Sequence, residues 1–287
     1  MIRFADEKDI PGLREIWHIS FGDSKEYIDM FMEHQFKEAL TVVYEEDGKA
    51  LSMFFLFRCD FSIRGKNHPS FYLYAAATLP QYRGKGIMGK MLEFSKSYAA
   101  ERNFDFIILS PAEKSLYDYY GRFGFKGCFK SQKITLNLKS EDEFAANFSE
   151  NDFEKMLTLR NAAVKKSDGV LWGEEFFRYA VYENDYTSGK TRSTKECYGI
   201  YFKEDDHIIF KELIGENAKK AIDFALSICK EENVNSAQIA VPVNCKFAEI
   251  SGNDVLIDTG MAAPLNSEAQ KALENSDKNA YLGLTLG

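Results

Sequence analysis

Residues 81–91, QYRGKGIMGKM, combine three glycines, an arginine and two lysines, the composition of a loop that wraps an anion. Glycine lets successive backbone N–H groups crowd a phosphate, and a helix starting beside them adds unsatisfied donors and its dipole. Two nucleotide patterns fit the spacing. Gly84-x-x-x-x-Gly89-Lys90 is a P-loop up to its last residue, but Met91 stands where a magnesium-binding Ser or Thr is needed. The strand that follows, FIILS, ends in Ser110 and brings no Walker-B aspartate. Gly84-x-Gly86-x-x-Gly89 is the dinucleotide spacing, but its first glycine must follow the strand directly, and here LPQYR intervenes with Pro80. The ribose-binding acid is also misplaced, since Asp105 opens the next strand instead of closing it. Phosphate is the firmer reading; the owner of the phosphate is not given by the loop alone.

The elements around the loop must hold it at the edge of a sheet. SFYLYAAATL, residues 70–79, is apolar throughout, as a central strand covered on both faces is. After the loop, Ile87, Met91, Phe94 and Tyr98 fall at i, i+4, i+7 and i+11, which predicts a helix to about Glu101. FDFIILSP is the next strand, so this stretch is a strand, glycine loop, helix and strand in a right-handed parallel unit. Ahead of it, MIRFA reads as a strand. Two amphipathic helices follow, one carrying Ile10, Leu13, Ile16 and Trp17, the other Ile28, Phe31, Met32 and Gln35. Two strands then turn at Asp47-Gly48, a hairpin dipeptide.

A strand in KSQKITLNLKSEDEF leads into a charged, amide-rich connection, which sets a boundary near residues 140–150. The expected division is an N-terminal domain over 1–140 and a C-terminal domain over 150–287. Beyond the boundary FEKMLTLRNAAVKK is a helix. EFFRYAVYEN, CYGIYFKEDDHIIFKELI and NSAQIAVP read as strands alternating with the amphipathic helix NAKKAIDFALSICKEEN. The order strand, loop, helix, strand, proline runs from Phe71 to Pro111 and again from Ile208 to Pro242. In the second copy the loop shrinks to ELIGEN and keeps one glycine, Gly215, which reads as a duplication whose later copy has lost its phosphate cradle.

A third pattern covers the loop, Gln81-x-x-Gly84-x-Gly86, and it sits between a central strand and a long helix. After the next strand comes SLYDYYGRFGFKG, with Tyr120-x-x-x-Gly124-Phe125. Together, in this order, the two motifs resemble the GNAT superfamily of acyl-CoA-dependent N-acyltransferases, with signatures Q/R-x-x-G-x-G/A and Y-x-x-x-G-F. ATLPQYRGKGIM and YGRFGF look like its enhanced-intracellular-survival (Eis-type) branch, whose members have tandem GNAT folds with a degenerate second copy. The motif likeness covers about residues 1–130. Members of that branch usually add a sterol-carrier-like domain, for which this chain is too short.

The resemblance implies an α/β fold of mixed (α+β) sheet, two GNAT-like domains in tandem, and acetyl-CoA as co-substrate. Pantetheine would lie along Ala76, Ala77 and Thr78, where that strand splays from the one around Ile107. The N–H groups from Gly84 through Gly86 to Ile87 would hold the pyrophosphate, with Arg83 and Lys85 adding charge and Met88 and Gly89 in the same helix start. Tyr120 would protonate the departing thiolate, a phenol near pKa ~10 facing a thiol near ~8.5. Tyr117, one turn earlier, is the alternative, and Tyr119 is expected to point elsewhere. No Asp, Glu or His is picked out as general base by spacing. The branch implies the chain's own terminal carboxylate at Gly287, with the tail NAYLGLTLG reaching in as a strand, although this tail lacks the aromatic end expected of the branch.

Composition narrows the partners. With 45% hydrophobic and 28% charged residues the chain is an ordinary globular protein, and 24 Phe and 15 Tyr predict ring-packed cores. A net charge of −8 argues against nucleic acid and suits a cationic small-molecule amine. Five cysteines and four histidines are scattered, without metal-ligand spacing, so no metal is expected. MIRFADEKDI carries charges where a signal peptide is apolar, and no run is long enough to span a membrane, so the expected place is the cytoplasm. Homo-oligomerisation is compatible with all of this. The expected activity is acetyl transfer to a primary amine. The alternatives are a protein or peptide N-acetyltransferase, which needs an open groove, and a non-catalytic acyl-CoA sensor, against which Tyr120 argues.

Overall fold

The computed structural model describes residues 1–138, 147–243 and 255–286. In chain order the elements begin β1 (Ile2–Phe4), α1 (Ile10–Phe21), α2 (Lys25–Gln35), β2 (Leu40–Glu46), β3 (Lys49–Ile63) and β4 (Lys66–Thr78). Next come α3 (Ile87–Ala100), β5 (Phe106–Leu109), α4 (Lys114–Gly121), β6 (Lys126–Asn137), α5 (Phe153–Val164), β7 (Gly169–Trp172) and α6 (Glu174–Tyr186). The last are β8 (Lys190–Ser193), β9 (Cys197–Glu204), β10 (His207–Gly215), α7 (Ala218–Glu231), β11 (Ser236–Pro242), β12 (Val255–Pro264) and α8 (Ser267–Asn275). The architecture is a mixed α/β one, as the patterning required.

The described residues form two compact units. The first takes Met1–Asp60, His68–Lys126 and Met261–Glu274. Its strands lie in the order β1-β2-β3-β4-β5, followed by the Met261–Pro264 end of β12. Pairing is antiparallel from β1 to β3, β4 and β5 are parallel, and Met261–Pro264 runs antiparallel to β5. The β2–β3 turn has Asp47 at φ 51° and Gly48 at φ 76°, the left-handed pair that a two-residue hairpin needs. On one face α3 presses Ile87, Met91 and Leu92 onto Phe54, Phe71, Leu73 and Ile107. Met91 and Leu92 are fully buried, each contributing about 2 kcal/mol by area removed from water. Elsewhere in the unit α1 and α2 bring Trp17 and Phe31 together at 4.5 Å between ring centroids, with Phe55 of β3 4.9 Å from Phe31. The Phe and Tyr content goes into this ring packing.

The second unit takes Phe61–Asn67, Gly127–Gly260 and Asn275–Gly287. Its strand order is β6-β11-β10-β9-β8. β10 and β11 are parallel, and α7 joins them, burying Ala225, Ile228 and Cys229 against Ile208, Phe210 and Ile239. The β9–β10 turn at Asp205, φ 49°, repeats the left-handed geometry of Asp47. EFFRYAVYEN, expected as a strand, is helix α6. Its aromatic content favours strand, but Phe176, Phe177, Ala180, Val181 and Asn184 are buried at helical spacing, and burial decides.

The tail also differs from the strand expected of it. Among the described residues it bridges at Ala280 to Phe129 and Tyr281 to Gly169, after which Gly283 turns left-handed at φ 68°. Side chains then take over the backbone groups. Arg160 Nη2 donates to Leu282 O at 3.2 Å, and Leu284 N donates to Glu212 Oε1 at 3.2 Å. Arg160 and Glu212 are themselves a fully buried ion pair, Nε to Oε1 3.1 Å, with Tyr198 Oη donating to Glu212 Oε2 at 2.7 Å.

Candidate active site

Where β4 ends, the chain makes a short 3-10 turn over Pro80–Tyr82, then the glycine loop, then α3. Gly84 (φ 76°) and Gly86 (φ 74°) are left-handed, and a Cβ on either would meet nothing within 4 Å. These two positions need glycine for conformation, not for space. Gly86 caps α3 without any side-chain hydrogen bond, and the first backbone bond closing the helix is Lys90 N to Gly86 O at 3.2 Å. The N–H groups of Ile87, Met88 and Gly89 therefore have no acceptor within the helix.

The first two of these, at Ile87 and Met88, border a cleft of about 550 Å³ in the first unit. Ala76, Ala77, Thr78, Arg83, Gly84, Gly86, Ile87 and Met88 line it, and so does Tyr120. The parallel ladder between β4 and β5 ends at Leu73 opposite Leu109, so Ala76–Thr78 run on past β5. Ala75, at φ 51°, marks the kink just before them. On the β3 side the strand end is pinned by Ser52 Oγ, which donates to Ala77 O at 2.8 Å and lies 2.7 Å from the Thr78 hydroxyl. Arg83 Nε donates to Thr78 O at 2.9 Å, which fixes one edge of the guanidinium against the strand.

Lys85 and Gly89 are not on the cleft wall. The Lys85 ammonium sits 4.8 Å over the Tyr82 ring. Gly89 serves packing, since a Cβ there would come within 2.6 Å of a Phe123 ring carbon. Gln81 borders a separate hollow of about 360 Å³. Gly287 lies outside the described residues.

Tyr120 is buried on α4, its ring 5.7 Å from Phe125 and 5.3 Å from Tyr119. Burial, and then the neighbouring Tyr119, push its phenol up to about 12. The expectation for its neighbours is corrected. Tyr119 faces the cleft and Tyr117 does not, because Leu116, Tyr119 and Tyr120 share one side of the helix at i, i+3 and i+4, with Phe123 following just past its end. Burial also raises Tyr119, while Arg122, 5.0 Å from its ring, opposes that. Arg122, with Ser20 and Phe21 at the end of α1, completes the wall. The α4 spacing could have found Tyr119, Leu116 and Phe123; nothing local marks Ser20 or Phe21.

Among the described residues no His, Cys, Asp and Glu are grouped to hold a metal ion. Cys59, Cys128, Cys197 and Cys229 are buried. No described helix is long and apolar enough to cross a membrane.

In the first unit, then, parallel strands part beside a glycine loop, and an uncapped helix start and a buried tyrosine share one cleft. In sequence, residues 1–128 match the model of the acetyltransferase (GNAT) domain family. No curated protein matches the chain in sequence. Among solved structures, a probable N-acyltransferase from Enterococcus faecalis is similar with TM-score 0.78 and 13% identity, over 94% of this chain and 73% of that one. A GCN5-related N-acetyltransferase from Kribbella flavida has TM-score 0.74 and 14% identity, over 94% and 72%. Eis1 from Mycobacterium abscessus has TM-score 0.69 and 13% identity, over 95% and 76%. Likeness at this identity is likeness of fold.

Proposed function

We infer that the protein is an acetyl-CoA-dependent N-acetyltransferase of the cytoplasm that passes an acetyl group to a primary amine of a small, cationic acceptor. One observation carries this: the uncapped start of α3, with Gly84 and Gly86 held left-handed, opens on the same cleft as Tyr120. The N–H groups from Gly84 to Ile87, with that of Met88, hold the diphosphate, helped by Arg83. Ala76–Thr78, past the end of β5, offer a free backbone edge along which pantetheine amides lie as an added strand.

The amine nitrogen attacks the thioester carbonyl carbon, a backbone N–H of this edge steadies the oxyanion, and collapse breaks the C–S bond. Tyr120 Oη donates a hydrogen bond to the leaving sulfur. With the phenol at about 12 and a thiol near ~8.5, complete proton transfer is uphill by roughly 3.5 pH units, or about 5 kcal/mol. The amine attacks as the free base; the tyrosine stabilises the thiolate mainly by hydrogen bonding, and the proton shed by the nitrogen as the amide forms balances the one the thiolate takes up after leaving.

In the Eis-type manner, the domain at 1–140 binds acetyl-CoA and the one at 150–287 is a degenerate copy. Two features support the degeneracy. β10, α7 and β11 repeat the parallel unit of β4, α3 and β5. But α7 is capped by its own Asn217, whose Oδ1 accepts from Lys220 N at 3.0 Å, so its start is not left open for an anion. The test is coenzyme A release from acetyl-CoA across a panel of small amines. Amine-dependent release is expected; coenzyme A binding without release for any amine would replace the enzyme with a sensor.

A further inference from the structure

Two arginines line the cleft, and they differ in what they are tied to. Arg83 donates to the Thr78 carbonyl beside the glycine loop. Arg122 stands at the C-terminal end of α4, its guanidinium carbon 5.0 Å over the Tyr119 ring, and pairs with no carboxylate among the described residues. Its place is fixed by its neighbour. The Phe123 ring packs on Gly89 in the first turn of α3, so closely that a Cβ would be 2.6 Å away. Arg122 is thereby brought beside the helix start that the proposed function gives to the diphosphate.

Resting on that reading, we propose that Arg122 recognises the 3′-phosphate of the coenzyme. The diphosphate already has the loop N–H groups and Arg83. The 3′-phosphate is a terminal monoester with close to two negative charges and no backbone donors of its own, and a planar guanidinium matches its oxygens in a paired, bidentate contact. The Tyr119 ring, 5.0 Å from the guanidinium carbon, holds the group in place in the absence of the anion, which lowers the ordering cost of binding.

The test is calorimetric titration of the full chain with coenzyme A and with 3′-dephospho-coenzyme A, for the wild type, Arg122→Gln and Arg122→Lys. The wild type is expected to bind coenzyme A about 10- to 100-fold more tightly than the dephospho form, the span of a charge-assisted hydrogen-bond pair. Arg122→Gln loses that preference by weakening coenzyme A alone, and Arg122→Lys keeps part of it. Unchanged affinity for the dephospho form also shows that the variant is folded. Equal weakening of both ligands, or of neither, overturns the assignment to Arg122 while leaving the coenzyme site intact. A wild type that binds neither ligand overturns the acetyl-CoA reading itself, and this proposal with it.

Discussion

Replacing Tyr120 by Phe removes one hydroxyl and keeps the ring contacts to Phe125 and Tyr119, so activity and stability respond separately. A hydrogen bond to a developing thiolate is charge-assisted, and its loss lowers kcat by about 10- to 100-fold, with the KM for acetyl-CoA little changed. Because burial holds the phenol up to about 12, Tyr120 stays protonated through the working range. Any alkaline limb of kcat between pH 7 and 10 thus belongs to another group and persists in Tyr120→Phe. Stability gives an independent reading. The folded pKa lies above the unfolded value near ~10, so between the two the unfolded chain sheds a proton that the folded chain keeps. The wild type then loses stability as pH rises from about 10 to about 12, by roughly 2–3 kcal/mol from this group. Tyr120→Phe lacks that increment. Urea unfolding of both proteins at pH 8, 10 and 11, compared at each pH, isolates the difference from the other groups that titrate there. If the substitution abolishes an alkaline limb near pH 8–9, or the two proteins lose stability in parallel above pH 10, the burial argument for Tyr120 is wrong.

Gly89→Ala sets a methyl group against the Phe123 ring and is expected to cost about 1–3 kcal/mol by overpacking, read as a lower melting temperature. Phe123→Leu in the same chain should recover most of it; a Gly89→Ala protein that melts like the wild type would show the contact to be slack. Arg160→Met leaves the Glu212 carboxylate buried without its cation and is expected to cost about 3–5 kcal/mol in urea unfolding. Adding Glu212→Gln removes the stranded charge and should raise stability again, whereas additive losses would mean that the two side chains act independently.

The parts of the first unit that were legible share a physical cause: each rests on neighbours along the chain. The helix from Ile87 follows from apolar spacing, and the Asp47-Gly48 turn from the residues that tolerate positive φ. The face of α4 was equally local, but it has to be read at i, i+3 and i+4 together, which brings Tyr119 to the cleft with Tyr120. EFFRYAVYEN went wrong where two local signals conflict, aromatic strand propensity against helical spacing, and packing settles such conflicts. What left no local mark depends on partners far along the chain. Met261–Pro264 joins the first unit by pairing with β5, and Ser20 and Phe21 reach the cleft only because of where α1 ends.

The glycine loop contains both kinds of information within six residues. Gly84 and Gly86 answer a question of dihedral angle, which the chain poses locally: the loop must turn left-handed so that the helix start stays open. Gly89 answers a question of space posed by Phe123, just past the end of α4. The spacing that mimics a dinucleotide fingerprint therefore joins two unrelated requirements, one for presenting N–H groups and one for bringing α4 close. That separation has a consequence for binding. On the proposed function, changes at Gly84 or Gly86 act on the cradle itself, whereas a change at Gly89 acts through the approach of α4, and so through the placing of Tyr120 and Arg122 on the cleft wall.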